Sequence, residues 1–333
     1  MDQVAHNNSL KLKITIQEKK RVKNAGKLRF GLCCIFHREP IKFRQVTAKT
    51  LLSFPRDEQL LRLSKICLHN VNSLKKALYF VAENGIGAFR VLSPLFPRLT
   101  HPQVGYQLDE LPGVEIIRMG FEEIRRFRQD HDIRLSFHPD QFNVLSSNRE
   151  QVIRNTIREL EYHGMLADLV GAEVINIHAG GVYGDKESAL SRLKKNIEKL
   201  SFPVRSRLTL ENDDVSYSPK DLLPVCKSLK IPMVYDVHHH RCLPDGLSEQ
   251  DVTKRVVSLW RSLGREPHFH ISSPRNGWNS TALRAHADYI DTADFPACWT
   301  GLTATVDIEA KAKELAVIEL QKELGLHSNI SGG

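Results

Sequence analysis

A chain of 333 residues with 41% hydrophobic content can bury one large core or two ordinary ones. No apolar run approaches the ~20 residues a membrane span needs and no secretory pattern opens the chain, so a soluble, intracellular, cytoplasmic protein without a membrane partner is expected. The formal charge of +8 and pI near 9.1 favour a polyanionic partner, whereas six cysteines without a C-x-x-C pair argue against a disulfide scaffold and a structural zinc site.

The first 27 residues, with their basic run from Lys11 to Lys27, read as a solvated, disordered extension rather than a DNA-gripping arm. From residue 28, short β-branched or aromatic runs alternate with longer amphipathic stretches. Strands are predicted over residues 29–35, 88–93, 133–138, 173–178, 207–211, 233–237, 268–272 and 304–309. Helical patterns occupy 73–84, 113–130, 150–170, 186–200, 219–229, 248–263 and 310–324. Strand-then-helix units imply a parallel sheet, and eight of them can close into a (β/α)₈ TIM barrel. An open doubly wound sheet is the alternative, but no G-x-G-x-x-G follows the first strand. The reading is therefore one barrel domain over 28–324, a flexible tail over 325–333, and a monomer. The connection over 36–64 is long and carries Arg38, Lys42, Arg44 and Lys49, as a substrate-binding loop would; a surface loop without a partner is the plainer reading.

At or next to the strand exits stand His138, His178, Glu211, Asp236 with His239, His270 and Glu309. In a barrel the C-terminal strand ends share one face, so these residues would point into a single bowl. Each histidine alone is more often a core or surface residue, and the carboxylates could simply pair with the imidazoles. Neither reading explains the recurrence at strand exits. Imidazole nitrogen with carboxylate oxygen suits borderline divalent ions such as Zn²⁺, Mn²⁺ or Fe²⁺, while Mg²⁺ and Ca²⁺ prefer oxygen. The number of donors exceeds what one ion can use, so two or three are implied, with Glu211 suited to bridge. Such a cluster makes hydroxide from water near neutral pH and neutralises a phosphoryl group under attack. Two loop histidines, His101 and His286, join on weaker grounds. Tandem His238, His239 and His240 offer too many candidates, because strand alternation would send neighbours to opposite sides.

Phe89-Arg90-Val91, Thr100-His101-Pro102, Ser136-Phe137-His138-Pro139-Asp140-Gln141-Phe142, Ile177-His178-Ala179-Gly180-Gly181, Leu210-Glu211-Asn212-Asp213, Val234 to His239, His270-Ile271-Ser272-Ser273 and Asp307-Ile308-Glu309-Ala310-Lys311 occur in this order. Over about 28–324 the chain resembles the ultraviolet damage endonucleases, relatives in fold of endonuclease IV. The resemblance implies a three-metal site with Mn²⁺ foremost and Zn²⁺ or Mg²⁺ as alternatives. It implies a partner, damaged double-stranded DNA, nicked immediately 5′ to pyrimidine dimers and 6-4 photoproducts, with abasic sites as a further substrate. By the same carry-over Glu211 bridges two ions, with His138 and His178 on one and Asp236, His270 and Glu309 on the other. His239 and His286 hold the third, and His101 lines the pocket as a ligand or facing the scissile phosphate. Gln141 and Phe142 resemble a Gln-Tyr pair that probes the duplex, although sequence alone would bury Phe142 in the core. A wedge of this type selects steps that damage has already weakened.

Three departures stand out. His268 occupies a position where relatives often carry Lys, facing the same side as His270, and could join the catalytic set as a replacement ligand. Leu32 and Phe36 stand where some relatives place Tyr and Asn, and Phe142 lacks the hydroxyl of Tyr. Competing readings are a sugar isomerase or epimerase, whose barrels gather the same donors, an endonuclease IV-like abasic-site nuclease, and a non-catalytic DNA-damage binder. Arg38, Lys42, Arg44 and Arg98 suit an open phosphate-tracking groove better than a closed sugar pocket.

Overall fold

Successive side chains point to opposite faces along each strand, and on most strands one face is apolar while the other carries polar residues. The computed structural model describes residues 26–326. Its strands are β1 (Leu28–Cys33), β2 (Ala88–Val91), β3 (Arg134–Phe137), β4 (Val174–His178), β5 (Leu208–Glu211), β6 (Met233–Asp236), β7 (His268–Ile271) and β8 (Ala304–Ile308). They pair in parallel in chain order, and β8 pairs with β1, so the predicted closed barrel is what forms. One set of alternate residues, including Leu32, Phe89, Phe137, Ile177, Leu210, Phe269 and Ile308, belongs to the apolar core. The other set, including Arg90, Arg134, Asn176, Thr209, Glu211, His270 and Asp307, is also buried, and its members hydrogen-bond across the barrel. The interior is thus a polar network instead of the usual branched aliphatic filling. Gly31 leaves it room: it stands opposite Asp307 in register, and a Cβ there would lie 2.0 Å from Asp307 Oδ1.

The helices are α1 (Ala48–Leu52), α2 (Arg56–Glu83), α3 (Val114–Asp130), α4 (Glu150–Val170), α5 (Lys186–Ile197), α6 (Phe202–Arg205), α7 (Pro219–Leu229), α8 (Val237–Cys242), α9 (Glu249–Ser262) and α10 (Glu314–Glu323). The expected loop over 36–64 is partly helical: α2 starts at Arg56, not at 73. Pro55 is its N-cap, and in the first turn Asp57 and Glu58 meet the positive end of the helix dipole. The first strand ends two residues early because Cys34 has φ +64°. All six cysteines are free. Most of the basic run from Lys11 to Lys27, and all of the tail beyond 326, lie outside the described residues.

Candidate active site

Glu211 ends β5 and is 1% exposed, with imidazoles on both of its oxygens. His138, just past β3, places Nε2 3.0 Å from Glu211 Oε2, and His178, the last residue of β4, places Nε2 3.9 Å from the same oxygen. On Oε1 lie His270 Nδ1 at 3.0 Å and His239 Nδ1 at 3.5 Å. Asn176 Nδ2 donates to Glu211 Oε2, and Thr209 Oγ1 donates to Asn176 Oδ1 at 2.7 Å, so the carboxylate is oriented from below. Asp236 caps α8: its Oδ1 accepts from His239 N at 2.8 Å. One helical turn then brings His239 Nδ1 to 3.7 Å from Asp236 Oδ2. The tandem histidines are therefore on a helix, which corrects the strand-alternation argument. His239 faces the site, while the His238 ring packs 5.3 Å from Trp278. Past β8, Glu309 Oε1 lies 3.4 Å from His270 Nδ1 and 2.7 Å from Arg90 Nη1.

These donors form overlapping groups whose ligand atoms lie within 4.8 Å of one another: His138–His178–Glu211, Glu211–Asp236–His239 and Asp236–His270–Glu309. Burial would raise the pKa of Glu211, but the imidazoles of His270, His178 and His138 outweigh it and hold the carboxyl well below its ordinary value. Burial likewise opposes charge on Glu309, and the Arg90 guanidinium overcomes it. Asp236 Oδ2 and His178 Nδ1 are buried without a hydrogen-bond partner among the described residues. A buried carboxylate oxygen without a donor calls for a cation. The nitrogen and oxygen donors and the orphaned oxygen fit divalent metal ions.

A model of the UV-endonuclease UvdE family matches residues 28–332. The chain belongs to that family. Its members include the UV DNA damage endonuclease of Bacillus velezensis, 34% identical over 310 residues and covering 89% of this chain and 93% of the relative. The crystal structure of SacUVDE superposes with a TM-score of 0.76 at 28% identity, covering 90% of this chain and 99% of the other. Endonuclease IV from Thermus thermophilus shares the fold, with a TM-score of 0.53 at 12% identity, 90% of this chain and 98% of that one. Membership makes the chain an endonuclease.

Other residues expected in the site of this UvdE-family member fall at its margins. His286 lies in the connection between β7 and β8, with Nδ1 4.0 Å from Glu309 Oε2 and 3.3 Å from Ser272 Oγ. His101 lines a separate cavity of about 370 Å³ with Arg98, Asp140 and Asn143. Its Nδ1 accepts from the Gln103 and Val104 amides, which leaves Nε2 as the protonated nitrogen. His268 sits two residues below His270, its Nε2 3.2 Å from Asp307 Oδ2, in a separate group with those two residues. Gln141 and Phe142 follow Asp140, whose Oδ1 accepts from Phe142 N at 3.0 Å. Phe142 is 77% exposed, which overturns the core reading that sequence alone favoured. Arg38, Lys42, Arg44 and Arg98 are exposed, and Arg98 Nε donates to Val46 O at 2.9 Å. Asn70 fixes this loop by bonding both the amide and the carbonyl of Arg44. Sequence reasoning assigned no role to Arg90 or Asp307. Their signal was a charge at an inward strand position between apolar neighbours.

Proposed function

We propose that this endonuclease cuts DNA immediately 5′ to ultraviolet photoproducts, pyrimidine dimers and 6-4 photoproducts, and also incises at abasic sites. The observation that carries the reading is the convergence of six further donors around Glu211 beneath loops that present an exposed aromatic and exposed cations. His138, His178 and Glu211 would hold one ion, Asp236, His270 and Glu309 a second bridged by Glu211, and His239 with His286 a third, Mn²⁺ being the foremost candidate. When bound, such ions acidify water and neutralise charge on the phosphoryl group.

The chain's own groups do the rest. Phe142 is the wedge, with Gln141 beside it: an exposed ring enters the stack where a lesion has weakened it. Arg38, Lys42, Arg44 and Arg98 bear on backbone phosphates and set register without reading sequence. His101 carries its proton on Nε2 and donates it to a phosphate oxygen. His268 belongs beneath the metal ligands, against Asp307, rather than in the bridging position. No described helix is long and apolar enough to cross a membrane.

The test is a duplex carrying one thymine dimer, with undamaged and abasic duplexes beside it, incubated with Mn²⁺-reconstituted protein and mapped to single-nucleotide resolution. A nick just 5′ of the dimer, lost on chelation and in Glu211→Gln, is expected. Binding of the dimer duplex without incision would sink the hydrolytic reading.

A further inference from the structure

The floor of the barrel, on the face opposite the candidate active site, holds more arginine than carboxylate. Arg134 opens β3, Glu173 and Arg207 immediately precede β4 and β5, and Glu266 stands two residues before β7. With Arg128 in the last turn of α3 and Arg265 beside Glu266, they line a cavity of about 450 Å³. Two carboxylates there serve four guanidiniums. Glu173 accepts from Arg128 Nη1 and from Arg134 Nε, both at 3.0 Å. Glu266 Oε1 meets Arg134 Nη1 at 3.2 Å and is shared with Arg29 Nε at 3.1 Å. The paired neighbours do not remove the surplus: Asp168 is matched to Arg207, and Asp132 is divided between Arg29 and Lys27, so six cations face four carboxylates. Arg265 forms no ion pair among the described residues. Its Nη2 donates to the Glu173 and Arg207 carbonyl oxygens at 2.7 and 3.3 Å, and its guanidinium lies 4.9 Å from the Trp260 ring centroid.

We propose that this cavity binds a dianionic phosphoryl group, inorganic phosphate or the terminal phosphate of a mononucleotide, between the guanidiniums of Arg128, Arg207 and Arg265. The two charges of such a ligand match the surplus of two, and the planar fork of arginine suits its oxygens. Arg128 has a donor to spare: its Nε is buried without a hydrogen-bond partner among the described residues. Gly171, which also lines the cavity, keeps that donor clear, since a Cβ there would lie 2.9 Å from Arg128 Nε. The plainer alternative is that the arginines only close the barrel floor, as residues on this face commonly do. Part of the arrangement fits that: Arg207 Nε donates to Ala172 O at 2.9 Å and its Nη1 to Pro203 O at 2.9 Å. Carbonyl oxygens satisfy N–H groups and leave the charge uncompensated, and a floor built for stability gains nothing from desolvated cations in excess. Burial, with Arg134 and Arg207 close by, pushes the Arg265 guanidinium down to about 10 against the pull of Glu173. The inference does not depend on the metal reading above.

Calorimetric titration of the full-length protein with inorganic phosphate decides between these, run in chelator so that no metal-bound phosphate contributes, and with chloride holding the ionic strength constant. Binding by wild-type protein is expected, with affinity at least about ten-fold weaker in Arg265→Gln, which removes a charged donor. No binding by wild type, or wild-type affinity in a folded Arg265→Gln protein, overturns the proposal. Should that variant fail to fold, hydrogen exchange of wild-type protein with and without phosphate locates the anion. Slowing at residues 171–173 and 264–266 is expected, and protection confined to the basic loop over 36–64 would overturn the floor site. Thymidine 5′-monophosphate, with thymidine as its control, separates the two sources. Tighter binding than phosphate assigns the site to an ester and weaker binding to the free anion, while thymidine binding as well as its monophosphate would overturn recognition of a phosphoryl group.

Discussion

Glu211 shows why single side chains matter at this site. Burial would protonate it, yet the histidines around it hold it charged, and it takes part in two of the ligand groups. Glu211→Gln keeps the shape and removes the charge. Losing a bridging ligand should cost more than losing an outer partner, so Mn²⁺ affinity should fall by more than about a hundred-fold with the circular dichroism unchanged. His239 links the site to pH. Burial lowers its pKa, but Asp236, Glu211 and Glu309 outweigh that and raise it to about 9. Against an unfolded value of roughly 6.5, its protonation stabilises metal-free protein fully below that pH, and this is lost as pH rises through about 9. Burial pushes His178 and His268 the other way, so their contribution is lost as pH falls below roughly 6.5. Melting in chelator should therefore peak near neutrality and decline toward pH 9, whereas Mn²⁺ affinity should rise over that interval as the competing proton leaves His239. A flat metal-free profile from pH 6.5 to 9 would remove His239 from this account. Most of these donors were legible in the sequence because a barrel gathers strand exits on one face. The exposure of Phe142 was not, since an aromatic beside Gln141 looks the same in sequence whether a turn points it inward or outward.

At the scale of elements, the basic loop is held by a helix distant in sequence. Glu314 opens α10, is 1% exposed, and accepts from the His37 and Arg38 amides at 2.6 Å and from Glu39 N at 3.4 Å. Glu314→Ala leaves these donors unpaired and should cost about 2–3 kcal/mol. Amide exchange at 37–39 should speed up, and if Arg38 meets phosphate as proposed, KM for a damaged duplex should rise more than kcat falls. Unchanged exchange at these amides would show that the loop is held otherwise. Phe142→Ala tests the opposite case, an exposed residue with little to pack against. Stability should stay within about 0.5 kcal/mol, while binding of dimer duplex should weaken by about 1–3 kcal/mol, the value of one stacked base. Strand order and most helices were readable from hydrophobic period alone. The first half of α2 was not: Arg56 to Ser64 falls in the expected loop and the helical pattern is read only from Ser73, because charges obscure the apolar face that Leu63, Cys67, Val71 and Leu74 form. Nor was α8 visible, because three histidines carry no period and only the Asp236 cap begins the turn.

For the whole molecule, the consequence lies in where the candidate ligands come from. They stand at or just beyond the ends of six strands, β3 to β8, so ions bound there would tie most of the barrel's circumference together. Without ions, Glu211, Asp236 and Glu309 are carboxylates crowded at a buried centre, with Arg90 Nη1 the guanidinium contact of Glu309. Loading should therefore stabilise the fold as a unit. At Mn²⁺ a hundred-fold above its dissociation constant, linkage gives about 2.7 kcal/mol for one site. For a chain of this size that is roughly 4 °C in Tm. The distribution of the effect discriminates more than its size. Hydrogen exchange in the presence of Mn²⁺ should slow in strands right round the barrel, including β1 and β2, because β1 closes the circle against β8 and β2 joins β1 to β3. Protection confined to residues 272–303 around His286 would mean that an ion binds only the margin of the site, and the bridged arrangement around Glu211 would have to be abandoned.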